Sequence, residues 1–191
     1  MVKNKNIYLT LWNYIKESQN YIYFSIGIFV LAIFAGFFVE PSQNIQKLIV
    51  EYIQKVVEQT AGMNFLELFW FIFKNNFTVA FFSLLFGVIF GVFPVLMIVF
   101  NGYIIGFVSK LAVNASGIGS LWSLVPHGIF EIPAILITFS LGMRVGMFLF
   151  SKDIKKSFIQ NERLSWLVFL YIVLPLLFVA ALIESFLIYL S

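Results

Sequence analysis

The chain has 191 residues, of which 61% are hydrophobic and only 11% charged, with 25 phenylalanines and a formal net charge of +3. That balance lies far outside a soluble domain and leaves too few basic residues for a nucleic-acid surface, so the chain reads as an integral membrane protein with no nucleic-acid partner. Cysteine is absent and His127 is the one histidine, which excludes disulfides, thiolate chemistry and a multi-histidine metal site within one chain.

Residues 1–20 are a polar and aromatic lead without the small-residue pattern of a cleaved leader, so the first apolar run is expected to stay as a span. Within the lead, IYLTLWNYIK at 7–16 predicts an interfacial helix anchored by Trp12 and Tyr14. Span one is 21–39, uncharged and long enough to cross a core of roughly 30 Å. In PSQNIQKLIVEYIQKVVEQTAG the apolar residues recur at i, i+3, i+4 and i+7, which predicts an amphipathic helix over 42–62. Such a helix rests on lipid headgroups, rests on its own bundle, or docks a partner; for docking, the candidate residues are Ile49, Ile53 and Val56. Asn64 followed by Glu67 resembles a capping box and opens a short aromatic segment expected at the interface.

The apolar stretch from 77 to 115 is too long for one crossing, and Pro94 divides it into spans 77–93 and 95–113. Span four is 123–143 and span five 166–189. Lysines 3, 5 and 16 and the basic run from Arg144 to Arg163 favour the cytoplasm, whereas Glu40, Glu51, Glu58 and Glu67 outnumber the lysines of the loop after span one. Five crossings put all three segments where they belong and four do not. The expectation is an all-α polytopic membrane protein, residues 1–191 forming a single membrane domain in the cell membrane. Its N-terminus is cytoplasmic, its C-terminus is outside, and the amphipathic helix lies on the outer face.

The polar residues inside the spans narrow the function. A charge at mid-bilayer is costly, so Lys110, Glu131 and Glu184 must be paired, neutral or facing water. Counting from the span ends at about 1.5 Å per residue puts all three in the outer half. His127 lies one helical turn from Glu131 and shares its side, so the reading is a polar cluster of His127, Glu131, Lys110 and Glu184, with Asn101 bonding across to a neighbouring helix. Such a cluster either fixes helix positions or lines a path for ions or protons. Pro133 is expected to break the helical ladder just after Glu131. The pairs Gly87 with Gly91, Gly102 with Gly106, and Gly142 with Gly146 mark seams where helix backbones approach, within one chain or between copies of a homo-oligomer. No HExxH, Gly-x-Ser-x-Gly or phosphate-loop string is present, so neither an enzyme nor a metal or other cofactor is expected.

Asn75-Asn76, Asn101-Gly102 and above all PHGIFEIPA at 126–134, followed by Gly142 and Arg144, resemble the stage II sporulation protein M family. The resemblance runs from Phe73 to Gly146 in its motifs and over nearly the whole chain in its five-span outline. It implies a membrane protein without catalytic activity that serves, in spore formers, as a scaffold for cell-wall-remodelling partners on the outer face. A small oligomeric transporter or channel built on the polar cluster is the alternative function.

Overall fold

The computed structural model describes residues 6–190, the side chains of 123–127 excepted. Asn6 caps the first helix by accepting the Tyr8 amide on Oδ1 at 3.2 Å, and α1 runs Ile7–Glu17. Ser18 then turns the chain into α2, Gln19–Phe38. The amphipathic helix is α3, Gln43–Thr60, close to the span its periodicity predicts. Five helices are long and apolar enough to cross a membrane, and no strand occurs among the described residues.

Two spans start earlier than their apolar runs suggest. The capping box at Asn64 is present in full: Asn64 Oδ1 accepts the amides of Leu66 and Glu67, and Glu67 Oε2 accepts the Asn64 amide. The helix it opens does not end at the interface but continues as α4, Phe65–Leu85, carrying Lys74, Asn75 and Asn76 in its middle. The last crossing likewise belongs to one helical stretch, Ile154–Leu190, made of α7, Ile154–Val168, a wider π turn, Phe169–Val173, and α8, Leu174–Leu190. Pro175 explains the π turn, because it offers no N–H to the preceding turn and the ladder must re-space around the gap.

The break near Pro94 separates two helices. After Leu85 a short turn over Phe86–Val88 leads to Phe90 and Gly91, both with positive φ (53° and 65°), and α5, Val92–Ser116, begins there. Pro94 therefore lies in a first turn, where a missing N–H is tolerated. A further short helical turn, Ile118–Leu124, leads into α6, Val125–Gly146, which runs through Pro133 without interruption.

The centre of the bundle is α6. Over an 18-residue apolar stretch of the span Gly128–Phe150, 61% of the residues are buried, against 22–33% in the corresponding stretches of the other four. It packs on α2, α4, α5 and α8, and a buried hydroxyl pair, Ser25 with Ser140 at 2.8 Å, ties it to α2. Lipid supplies no hydrophobic drive between helices, so close backbone packing must hold them together. Glycine permits it at two seams. A Cβ added at Gly106 would fall on the Ile33 carbonyl of α2, and one at Gly36 on the Tyr103 carbonyl of α5. Gly87 and Gly91, at the α4–α5 turn, face Gly142 and Gly146 of α6 in the same way. All three glycine pairs thus serve contacts within the chain, which leaves any homo-oligomer to other surfaces.

At the end where α1, α6 and α7 meet, Arg144 closes the structure. Its Nη1 donates to the Tyr14 carbonyl at 3.0 Å and to Ser18 Oγ at 2.7 Å, and its Nη2 pairs with Glu17 at 3.1 Å. Tyr14 does not anchor the chain at an interface. It is buried under the Arg144 guanidinium, with its hydroxyl bonded to Ser165 Oγ and to the Asn161 carbonyl of α7. Burial pushes the Tyr14 phenol above its ordinary range, against the opposing pull of Ser165 and Arg144. Trp12, by contrast, is exposed, as an interfacial anchor should be.

Candidate functional site

Glu131 sits in the first half of α6 and is 8% exposed. A carboxylate this buried among apolar helices needs donors, and α4 supplies one: Asn76 Nδ2 donates to Glu131 Oε2 at 2.7 Å. Asn75 Nδ2 in turn donates to Asn76 Oδ1 at 3.2 Å. The three side chains form a short relay that begins at the exposed Asn75 on α4 and ends at the central helix. It explains why α4 tolerates two asparagines in the middle of a crossing.

The relay borders an open cavity of about 780 Å³ lined by residues of α3, α4, α5, α6 and α8. Glu184 of α8, Asn101 of α5 and Gln59 of α3 line the same cavity, so helices far apart in sequence bring two carboxylates and four carboxamides to one space. Tyr52, Val56 and Thr60 of α3 line its α3 side. Such a lining offers oxygen acceptors and amide donors beside the hydroxyls of Tyr52 and Thr60, which suits holding a cation, a proton or a polar segment.

The structure assembles only part of the cluster read from the sequence. Glu131, Glu184 and Asn101 come together; the side chain of His127 lies outside the described part of the structure. Lys110 belongs elsewhere, since its Nζ bonds Glu40 Oε1 at 2.9 Å beyond the end of α2. The cause is register: Gly102, Gly106 and Lys110 follow one another at i+4 on the face of α5 that packs on α2, so the lysine continues the glycine row toward Glu40. The hydrogen bond from Lys110 and its charge hold the Glu40 carboxyl below the ordinary carboxylate range, so this tie persists in mild acid and loosens only when acidification protonates Glu40. Asn101 does not bond across to a neighbour; its Nδ2 donates to the Met97 carbonyl of its own helix at 2.8 Å. Asn75 and Asn76 are the members the sequence reading left out of the cluster. Their signal was an asparagine pair inside a strongly apolar helix.

The candidate docking residues are also redistributed. Ile49 is buried, Ile53 is half-buried and Val56 lines the cavity, so this face of α3 is turned to its own bundle. Ile45 and Leu48, 50% and 65% exposed, form an uncovered apolar edge away from the cavity, and Tyr52 and Val57, which line the cavity, are also more than half exposed.

The family model for stage II sporulation protein M matches residues 25–187, and the chain belongs to that family. No curated protein and no solved structure matches the chain.

Proposed function

We propose that this member of the stage II sporulation protein M family is a non-catalytic scaffold that holds partner proteins at the cell membrane, in spore formers those of a cell-wall-remodelling complex. The observation that carries the reading is the apolar edge of α3. The helix has more apolar surface than its bundle covers, and Ile45 and Leu48 stand free away from the cavity. Charge supports the orientation: Lys16, Arg144, Lys155, Lys156 and Arg163 gather at the α1–α7 end, whereas Glu40, Glu51, Glu58 and Glu67 lie toward the α3 end. By the bias of basic residues toward the cytoplasm, α3 then faces outward, where wall-remodelling partners work.

The test is recovery of co-purifying proteins from native membranes in mild detergent. Ile45→Asp with Leu48→Asp should reduce the near-stoichiometric partner at least about tenfold, the loss expected when apolar anchors at the centre of an interface are replaced by charge. The folded bundle should be retained. Undiminished recovery of every partner would exclude this edge as the docking surface.

The cavity favours a second reading, a small transporter. Under it, Glu131→Gln abolishes proton or cation flux in proteoliposomes while the protein still accumulates, and flux indifferent to Glu131 and Glu184 rejects that path.

A further inference from the structure

A second cavity, of about 860 Å³, opens between α1 and α7 at the end opposite α3. Its lining is ordered along α7. Lys156, Gln160 and Arg163 recur at i, i+4 and i+7 and make a polar row, which Leu167 continues at i+11 toward the crossing segment. From Lys156 to Leu167 the groove runs about 16 Å along the axis, cationic at the outset and apolar at the end. Ile159 flanks the row, and Ile7 of α1 forms the facing wall. Both isoleucines are partly open, 54% and 38% exposed.

The charges are available. Lys155, Lys156 and Arg163 line the groove and are exposed, and none is in an ion pair among the described residues. The acid of the lining, Asp153, is engaged as the cap of α7, its Oδ1 accepting the Lys156 amide at 3.1 Å. A groove that is cationic at one end and apolar where the helix enters its long hydrophobic run matches a molecule built the same way. Guanidinium and ammonium groups on long side chains set about two helical turns apart suit a phosphate diester between them, and leucine beyond them suits hydrocarbon.

We propose that this groove is a binding site for one anionic phospholipid, its phosphate held by Lys156 and Arg163 with Lys155 at the rim, and an acyl chain laid along Leu167. The site is independent of the scaffold reading, because it lies at the other end of the bundle from Ile45 and Leu48. Its effect is to seat the α1–α7 end in a leaflet rich in anionic lipid.

The experiment uses the full chain in nanodiscs of equimolar phosphatidylglycerol and phosphatidylcholine, followed by mild release and native mass spectrometry of the lipid that stays bound. The wild type should retain phosphatidylglycerol in clear preference. Lys156→Gln and Arg163→Gln should each lower that preference about fivefold, the scale of one cation at an anionic lipid surface. Lys47→Gln with Lys55→Gln, which removes two charges from α3, should leave it unchanged. Soluble glycerol 3-phosphate and inorganic phosphate at millimolar concentration should not displace the lipid. Equal retention of both lipids by the wild type, the same loss in the α3 control, or displacement by either soluble phosphate would overturn the proposal.

Discussion

Gly146→Ala should destabilise the bundle by at least about 2 kcal/mol, while Gly27→Ala should change it by less than about 0.5 kcal/mol. The two substitutions add the same methyl group to a helical glycine, so propensity alone would make both mildly favourable. Their surroundings differ. A Cβ at Gly27 meets nothing within 4 Å, whereas one at Gly146 falls on the Gly91 amide nitrogen and the Gly87 carbonyl oxygen. Those atoms are backbone of the α4–α5 turn and cannot rotate aside. The turn itself is committed, because Phe90 and Gly91 both hold positive φ to reverse the chain there. Accommodating the methyl group therefore means separating the turn from α6, and with it the contact of Gly87 with Gly142. Reversible unfolding in a detergent titration, followed by circular dichroism, reads both values. Equal stability of the two variants would show that the glycine seam is not a structural constraint.

Local signals in the sequence were reliable where a residue's environment is set by its neighbours in the chain. The capping box at Asn64, the apolar stripe of α3 and the break before Pro94 all appear in the structure because each depends on a few consecutive residues. Partners distant in sequence were misassigned. The sequence reading puts Lys74-Asn75-Asn76 at the interface, ahead of a span that begins at Phe77, yet Asn76 is buried against Glu131, 55 residues away. Lys110 was grouped with Glu131 by depth, although depth says nothing about which side of a helix a residue occupies. Its i+4 spacing from Gly106 carried that information, once it is known that the glycine row faces α2. The same limit applies to α3: its periodicity shows that Ile45, Leu48, Ile49, Ile53 and Val56 share an apolar stripe, but only the bundle decides that Ile49 is covered and Leu48 is not. Gly36 gave no pair of its own to find, because its helical partner at i−4 is Ala32.

Arg144→Gln should release α1 from the bundle while leaving the central helix packed. The guanidinium makes three different contacts with α1: a hydrogen bond to a main-chain carbonyl, one to Ser18 and an ion pair with Glu17, with the Tyr14 ring 4.0 Å from its centre. Only the ion pair is open to water, since the Glu17 side chain is 65% exposed and that of Arg144 17%. Screening limits an exposed pair to about 1 kcal/mol or less, so Glu17→Gln should have a small effect. Loss of the whole arginine removes the hydrogen bonds and the ring contact as well, a change of about 2–3 kcal/mol. Amide exchange over Ile7–Glu17 should then rise roughly thirtyfold or more, the factor that corresponds to about 2 kcal/mol of local opening. Arg144→Lys should fall between the two, because one ammonium cannot reproduce a fork that reaches a carbonyl, a hydroxyl and a carboxylate together. Should Glu17→Gln accelerate exchange as much as Arg144→Gln, the ion pair would be the main tie and the main-chain contact incidental. The same measurement bears on the groove between α1 and α7, because Ile7 forms its wall only while α1 is docked. A chain with Arg144→Gln should therefore lose lipid preference even though Lys155, Lys156 and Arg163 are untouched.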